Sequence, residues 1–403
     1  MNNKRIIIFD VAGRHPALHS IVCGIVDGFR ALDEDVYYCD CKNIDHLCSV
    51  QDFLNKGEVK FCLGLYGMGM EWNIEGEDRF FICDKYDIPH VSVMLDLPYN
   101  RCATGYDIKC EKHIITVLDY TAIDYLKYAY PDKSDRVLFL PLAGMAAEGK
   151  YDIFSADKKY DVSYVACPWM YNWYREGSKR PWHNNGTNKY ITAILDDVAD
   201  YLETNTENVW SALKLVLREK GFEGDGYLRQ MMPFCWDLLL YIKTWRRIKG
   251  VEMLVKNDVR VDVFGSGWEI VPFADKLSLH GDISYGETLQ VYAQSKILFQ
   301  DAGEFNHGAN DRTFNAMLNG AVLVTEYSKY LDDNFVNGQD LFMYDWKNGE
   351  KQVEVIHELL NDDCRRLAMA VNAYGKADKN HRWKNRVQQI LLALNLLYDI
   401  ELK

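Results

Sequence analysis

Short apolar runs alternate with amphipathic stretches over roughly the first 145 residues of this 403-residue chain. The runs RIIIF (5–9), VYYC (36–39), VKFCLGL (59–65), HVSVMLD (90–96), HIITVLD (113–119) and RVLFLPL (136–142) predict strands. Between the first two, Leu18, Ile21, Val22, Ile25, Phe29 and Leu32 fall on one face of a helix. Strands that are apolar almost throughout, alternating with helices, predict a parallel sheet covered on both faces. Small and charged residues without a sustained period follow at 143–160, which predicts a linker.

A second α/β pattern opens with YDVSYVAC (160–167). It resumes after about ninety residues with RVDVFGSG (260–267), KILFQDA (296–302), GAVLVTE (320–326) and DLFMYD (340–345). The aromatic-rich stretch between them, about 168–256, predicts a helical insertion or an elaborated crossover. HRWKNRVQQILLALNLLYDI (381–400) predicts an amphipathic helix. The expected division is therefore 1–150, 158–380 and a terminal helix 381–403 that packs back on the first domain. Two doubly wound domains predict a ligand cleft at the carboxyl ends of their strands.

Composition narrows the function. The chain has 59 acidic and 46 basic residues, a net charge of −13, which argues against nucleic-acid binding. The one basic cluster, KTWRRIKG (243–250), reads as a solvated helix face. No run approaches the roughly 20 apolar residues of a membrane span. The start reads as a buried strand and not a signal peptide, so the eleven cysteines are expected to be reduced cytosolic thiols. CDC (39–41) and CATGYDIKCEKH (102–113) lack a second CxxC or a matched histidine pair, and no metal site is expected. The acidic DED at 33–35 reads as a solvated turn, the tryptophans at 169–182 as helix packing, and the sequon at Asn185 carries no weight.

The segment HGANDRTFNAMLNGAVLVTEYSKYL (307–331) is different. Arg312 falls in the first turn of a predicted helix, where the macrodipole is already positive and a cation is mildly unfavourable. A bound anion, or a carboxylate partner, would explain it. Asp311 reads as the N-cap and Gly320 as the left-handed residue after the helix. Upstream, VFGSGWEI (263–270) is a strand followed by Gly265-Ser266-Gly267, either a phosphate-approaching loop or an ordinary tight turn. LHGDISYGETLQVYAQSKILFQ (279–300) then gives a polar loop, a helix starting near Glu287, and a strand.

In that order these motifs resemble the nucleotide-sugar-binding half of GT-B glycosyltransferases, specifically over about 259–345 and most closely the bacterial spore-coat and protein-modifying branch. The resemblance extends loosely to HRWKNR (381–386). It implies an α/β GT-B fold of two facing Rossmann-like domains with a helical insertion in the second. The implied activity is hexosyl transfer from a nucleotide-diphosphate sugar, with UDP-sugar the expected donor, to a protein, surface glycan or small molecule. It also implies that Gly265, Ser266 and Gly267 line the donor phosphates, that His280, Gly281 and Tyr285 lie along the base, and that Asn310, Asp311 and Arg312 meet the diphosphate. Family members usually carry R-x-F-E, whose glutamate grips the ribose; here Asn315 stands there, and His307 stands where broader relatives have another acid. In the first domain Gly13 and Arg14 would approach the phosphates, and Asp96 would be the catalytic or sugar-contacting carboxylate. No permanently bound cofactor and no metal are implied. An oligomer could form through the insertion. A catalytically silent GT-B subunit and a nucleotide-sugar epimerase stay open as alternatives.

Overall fold

The computed structural model describes residues 4–11, 16–73, 78–100, 105–168, 180–184, 188–348 and 350–400. They form two compact units, residues 1–143 with 380–403 and residues 144–379. Gly13, Arg14, the tryptophans Trp169 and Trp173, and Asn185 lie outside the described residues.

In the first unit the strands are β1 (Arg5–Asp10), β2 (Val36–Asp40), β3 (Val59–Leu65), β4 (Glu71–Trp72), β5 (Phe80–Phe81), β6 (His90–Val93), β7 (His113–Val117) and β8 (Val137–Phe139). Six of them form a parallel sheet in the order β2-β1-β3-β6-β7-β8. Ile6 to Phe9 are fully buried, as a strand covered on both faces requires. The order turns at β1, where the chain first winds outward to β2 and then back across to β3. The antiparallel pair β4–β5 was not legible from periodicity, because two residues carry no repeat. Strands β6, β7 and β8 stop short of the predicted runs.

The terminal helix Trp383–Tyr398 packs against the first helix, Pro16–Arg30. The approach is close: a Cβ on Gly28 would meet the Trp383 backbone at 3.0 Å. The buried Arg386 fixes the join by donating from Nε to the Pro141 carbonyl at 2.6 Å.

Burial also places two histidines side by side in this sheet. His90 donates from Nε2 to the Met68 carbonyl at 2.9 Å, and His113 pairs with Ser92 Oγ at 2.7 Å. Desolvation pushes the His90 pKa down from the usual 6.5 to about 4 and that of His113 well below 6.5. Between pH 6.5 and 4 the unfolded chain binds the proton that folded His90 refuses, so stability rises with pH there and is lost on acidification. Stability is expected to fall by about 2 kcal/mol from pH 7 to pH 5 through His90 alone. Urea titrations of His90→Gln should show a shallower acid limb; an unchanged slope would remove this residue from the acid transition.

In the second unit the strands are β9 (Tyr160–Val165), β10 (Val261–Phe264), β11 (Ser278–Leu279), β12 (Ser295–Gln300), β13 (Val322–Glu326) and β14 (Phe342–Tyr344). They pair in parallel in the order β11-β10-β9-β12-β13-β14. Two six-stranded parallel sheets with helical connections confirm the expected α/β architecture.

One local expectation changes. The segment read as a linker packs onto the second unit: Met145 N–H donates to Asn315 Oδ1 at 2.8 Å and Ala147 N–H to Asn319 Oδ1 at 2.7 Å. Gly320 closes this contact, because a Cβ there would meet the Ile153 carbonyl oxygen at 2.1 Å. The stretch between β9 and β10 holds the helices Lys189–Thr204, Val209–Glu219, Asp225–Met231 and Cys235–Lys256. The last is also the crossover helix, its Ile248, Val251, Leu254 and Val255 packing into the sheet's core.

Candidate functional site

The carboxyl edge of the second sheet gathers the predicted donor residues. The helix Asp311–Leu318 begins there, and its N-cap is Asn310, not Asp311 as expected: the Asn310 side chain accepts from Thr313 N–H at 3.1 Å. Both residue types cap well, and the extended backbone of Asn310 decides between them. Asp311 becomes the first helical residue and accepts from Tyr285 Oη at 3.0 Å.

Arg312 has a carboxylate partner and more. Its guanidinium donates to the Val165 carbonyl at 3.3 Å and the Asp301 carbonyl at 3.4 Å, and lies 3.7 Å from Asp301 Oδ1. These carbonyls end β9 and follow β12, so the cation spans the ends of two adjacent strands. Its side chain keeps 19% exposure.

Asp301 is the centre that sequence reading missed. Tyr164 Oη donates to it at 2.5 Å, and Arg247 Nε lies 3.4 Å away. Burial alone would raise its pKa; Arg247 and Arg312 outweigh that and hold the carboxyl well below the usual range. Arg246 similarly meets Glu326 at 3.4 Å, both side chains fully buried. The cluster KTWRRIKG is therefore not a solvated face. Arg246 and Arg247 point into the unit because their carboxylate partners lie on β13 and just after β12. Two guanidinium groups face the Asp301 carboxylate, and the Asp311 carboxylate in the helix's first turn also acts on Arg312. A polar pair such as Gln300-Asp301, ending an otherwise apolar strand, was the available signal.

The Gly265-Ser266-Gly267 loop follows β10 with positive φ at both glycines, 127° and 94°. A Cβ on Gly265 would meet the Ala166 backbone at 3.0 Å, so the loop needs glycine to pass the end of β9. Gly265 N–H donates to the Gly281 carbonyl at 2.7 Å. Ser266 N–H donates to Asp282 Oδ1 at 2.8 Å and Gly267 N–H to Glu269 Oε2 at 2.9 Å. The last two thus hold anionic oxygens, the acceptor type a phosphate presents.

His280 stacks on Phe264 with ring centroids 4.4 Å apart and donates from Nε2 to Asp262 at 2.8 Å. Tyr285 opens the helix Tyr285–Ala293, two residues before the predicted start, behind a Ser284–Glu287 capping box. Burial, then the Asp311 charge, pushes the Tyr285 hydroxyl pKa up, so it serves as a donor. Asn315 is fully buried, its Nδ2 donating to Tyr285 Oη at 3.0 Å and to Asp311 at 3.2 Å while Oδ1 takes Met145 N–H. His307 donates from Nε2 to Glu207 at 2.9 Å, tying the loop after β12 to the inserted helices.

In the first unit Asp96 follows β6 and accepts a short hydrogen bond from Tyr66 Oη. Tyr66 has φ +52°, an uncommon conformation for a non-glycine residue, in the turn that ends β3. A second constellation at this edge escaped the sequence. Asp10, 3% exposed, ends β1 and accepts from Val11 N–H at 2.7 Å, His19 Nδ1 at 2.5 Å and Tyr38 Oη at 2.9 Å. Because a carboxylate only accepts, the proton of neutral His19 sits on Nδ1 and leaves Nε2 as a basic nitrogen. An aspartate ending the first strand and a histidine on the next helix was the only sequence sign.

Among the described residues no group of three or more His, Cys, Asp or Glu is placed to hold a metal, and no helix is long and apolar enough to cross a membrane. Residues 242–392 match the family described as Glycosyl transferase-like. No curated protein matches the chain. Among solved structures, T4 phage BGT in complex with its UDP-glucose substrate is similar over 99% of this chain and 100% of its own, with TM-score 0.51 and 11% identity. Anabaena HepE in complex with UDP-glucose is similar over 98% and 100%, with TM-score 0.50 and 11% identity. S. aureus TarM matches over 87% of this chain with TM-score 0.43 and 10% identity; the chain spans 59% of its length. The chain has the two-sheet α/β GT-B fold of these structures.

Proposed function

We propose that this protein is a glycosyltransferase that takes a sugar from a UDP-sugar. The Arg312 guanidinium, held across the ends of β9 and β12 in the first turn of the helix Asp311–Leu318 and still 19% exposed, carries this reading. A diphosphate would meet the guanidinium where helix N–H groups and the macrodipole also favour negative charge. Gly265, Ser266 and Gly267 would line the phosphates, and His280, Gly281 and Tyr285 the base. The binding of UDP-glucose by T4 phage BGT and HepE supports the choice of nucleotide.

In the reaction the acceptor oxygen forms a bond to the sugar's anomeric carbon. The bond from that carbon to the diphosphate oxygen breaks, and UDP leaves with the electron pair. The acceptor hydroxyl's proton passes to a base, for which Asp96 is proposed. Arg312 and the backbone donors stabilise the charge that develops on the leaving diphosphate. The negative charge is met by guanidinium and amide groups, so a divalent ion is not required. Hydrolysis of a panel of nucleotide sugars, read as released nucleotide, should therefore persist in excess chelator. Complete loss restored by Mg²⁺ would overturn this site.

One observation favours a silent-subunit reading. Asn315, where the family's ribose-gripping glutamate stands, has its amide committed to Met145, Tyr285 and Asp311. A panel that releases no nucleotide would support that reading.

A further inference from the structure

The Asp10–His19 pair of the first unit has a third member. His19 and Cys23 lie one turn apart on the helix Pro16–Arg30, where residues four apart are neighbours. Cys23 Sγ stands 3.5 Å from His19 Nε2, the nitrogen left basic by the Nδ1 bond to Asp10, so the thiol S–H donates to it. The ring is held from the other side as well. Tyr38 donates to the same Asp10 oxygen at 2.9 Å and stands edge-on to the imidazole, centroids 6.3 Å apart at 71°. Val22 and Gly24 beside Cys23 are buried, while Cys23 itself keeps access to solvent. A nucleophile within reach of a base, with the base oriented by a carboxylate, is the arrangement of nucleophilic catalysis.

The surrounding charges select the electrophile. Burial, then the charges of Asp10 and Asp27, push the Cys23 thiol pKa up, and Arg30 opposes them. Cys23 therefore stays a thiol until it reacts, and a thiolate of raised pKa is intrinsically the stronger nucleophile. The two carboxylates disfavour an anionic electrophile and the oxyanion that attack on an acyl carbonyl would create. A peroxide has neither drawback. It is uncharged, and its departing oxygen needs a proton, which His19 has just received.

We propose that Cys23 is a peroxide-reactive thiol, with His19 as its proton acceptor and donor and Asp10 as the carboxylate that orients the ring. The thiol proton passes to His19 Nε2 as sulfur attacks one peroxide oxygen. The S–O bond forms, the O–O bond breaks, and the departing oxygen takes the electron pair and then the proton from Nε2. Cys23 is oxidised to the sulfenic acid and the peroxide is reduced to water or an alcohol. Nothing in this step depends on the glycosyltransferase reading.

The test uses the whole reduced chain, hydrogen peroxide as oxidant and dimedone as the trap for sulfenic acid, with peptide mass spectrometry reading each cysteine. Exposed Cys364 is the internal reference. Cys23 should be tagged at least about 10-fold faster than Cys364, and His19→Gln should slow Cys23 by about 100-fold, the lower end of what a positioned base contributes. The His19 side chain is 39% exposed, so this substitution spares the core. The native rate should also level off at a lower pH than the variant rate, because the variant thiol must ionise unaided. A histidine with a merely structural role would leave the shape of that profile unchanged. Tagging of Cys23 no faster than Cys364, or a His19→Gln rate and pH profile matching the native ones, would overturn the proposal. Neither probe is a sugar or a nucleotide, so the outcome is separate from that of the donor panel.

Discussion

Asp96→Asn is expected to lower sugar transfer at least about 100-fold while leaving UDP affinity nearly intact, the scale of a lost general base. The amide keeps the carboxylate's shape but takes no proton near neutral pH. Asp96 sits just beyond β6 and is held by Tyr66 Oη and, through its own carbonyl, by Tyr106 Oη at 2.8 Å. Two tyrosines anchoring one short segment favour a fixed orientation, which proton transfer needs. His19 offers the competing proton acceptor, oriented by Asp10 through Nδ1. Steady-state kinetics on Asp96→Asn and His19→Gln separate the two. Near-normal turnover in Asp96→Asn with a large loss in His19→Gln would move the base to the Asp10–His19 pair.

Arg312→Ala is expected to weaken UDP binding by roughly 10- to 150-fold, the value of about 1.5–3 kcal/mol for a charge-assisted hydrogen bond. The side chain's partners sharpen this. Val165 and Asp301 carbonyls and the Asp301 carboxylate hold the guanidinium across two strand ends, so it reaches the helix start already oriented. Removing it also takes one of the cations from the buried Asp301, which keeps Arg247, Tyr164 and the charge of Lys243, so folding must be checked by thermal melting. Unchanged calorimetric affinity in the folded variant would remove Arg312 from the donor site. Arg312→Lys should recover only part of the loss, because an ammonium cannot reproduce the planar fork.

The sheets were legible because each core strand is an apolar run bounded by polar or glycine-containing turns. The strand RIIIF and the run AVLVTE are both visible before any pairing is known. Strand ends were less legible: the apolar Met94-Leu95 continues past β6 although ladder pairing stops at Val93. Asn310 and Asp311 are adjacent good caps, and only the backbone angle at Asn310 separates them. Arg246 and Arg247 looked solvated because their partners, Glu326 and Asp301, lie 80 and 54 residues away and become neighbours only through the sheet. The same holds for Asp10 and Tyr38, joined across β1 and β2. Long-range charge pairing is what a single sequence does not display. The motif residues from Gly265 to Arg312 were singled out by their order, and the structure adds that loop amides at 266 and 267 already hold carboxylate oxygens.

The most direct measurement is a crystal structure with UDP. The account predicts the diphosphate at the start of the helix Asp311–Leu318, with the Arg312 guanidinium and first-turn N–H groups within hydrogen-bond distance of its oxygens. An ordered nucleotide elsewhere, with Arg312 still bound only to Val165 and Asp301, would contradict it.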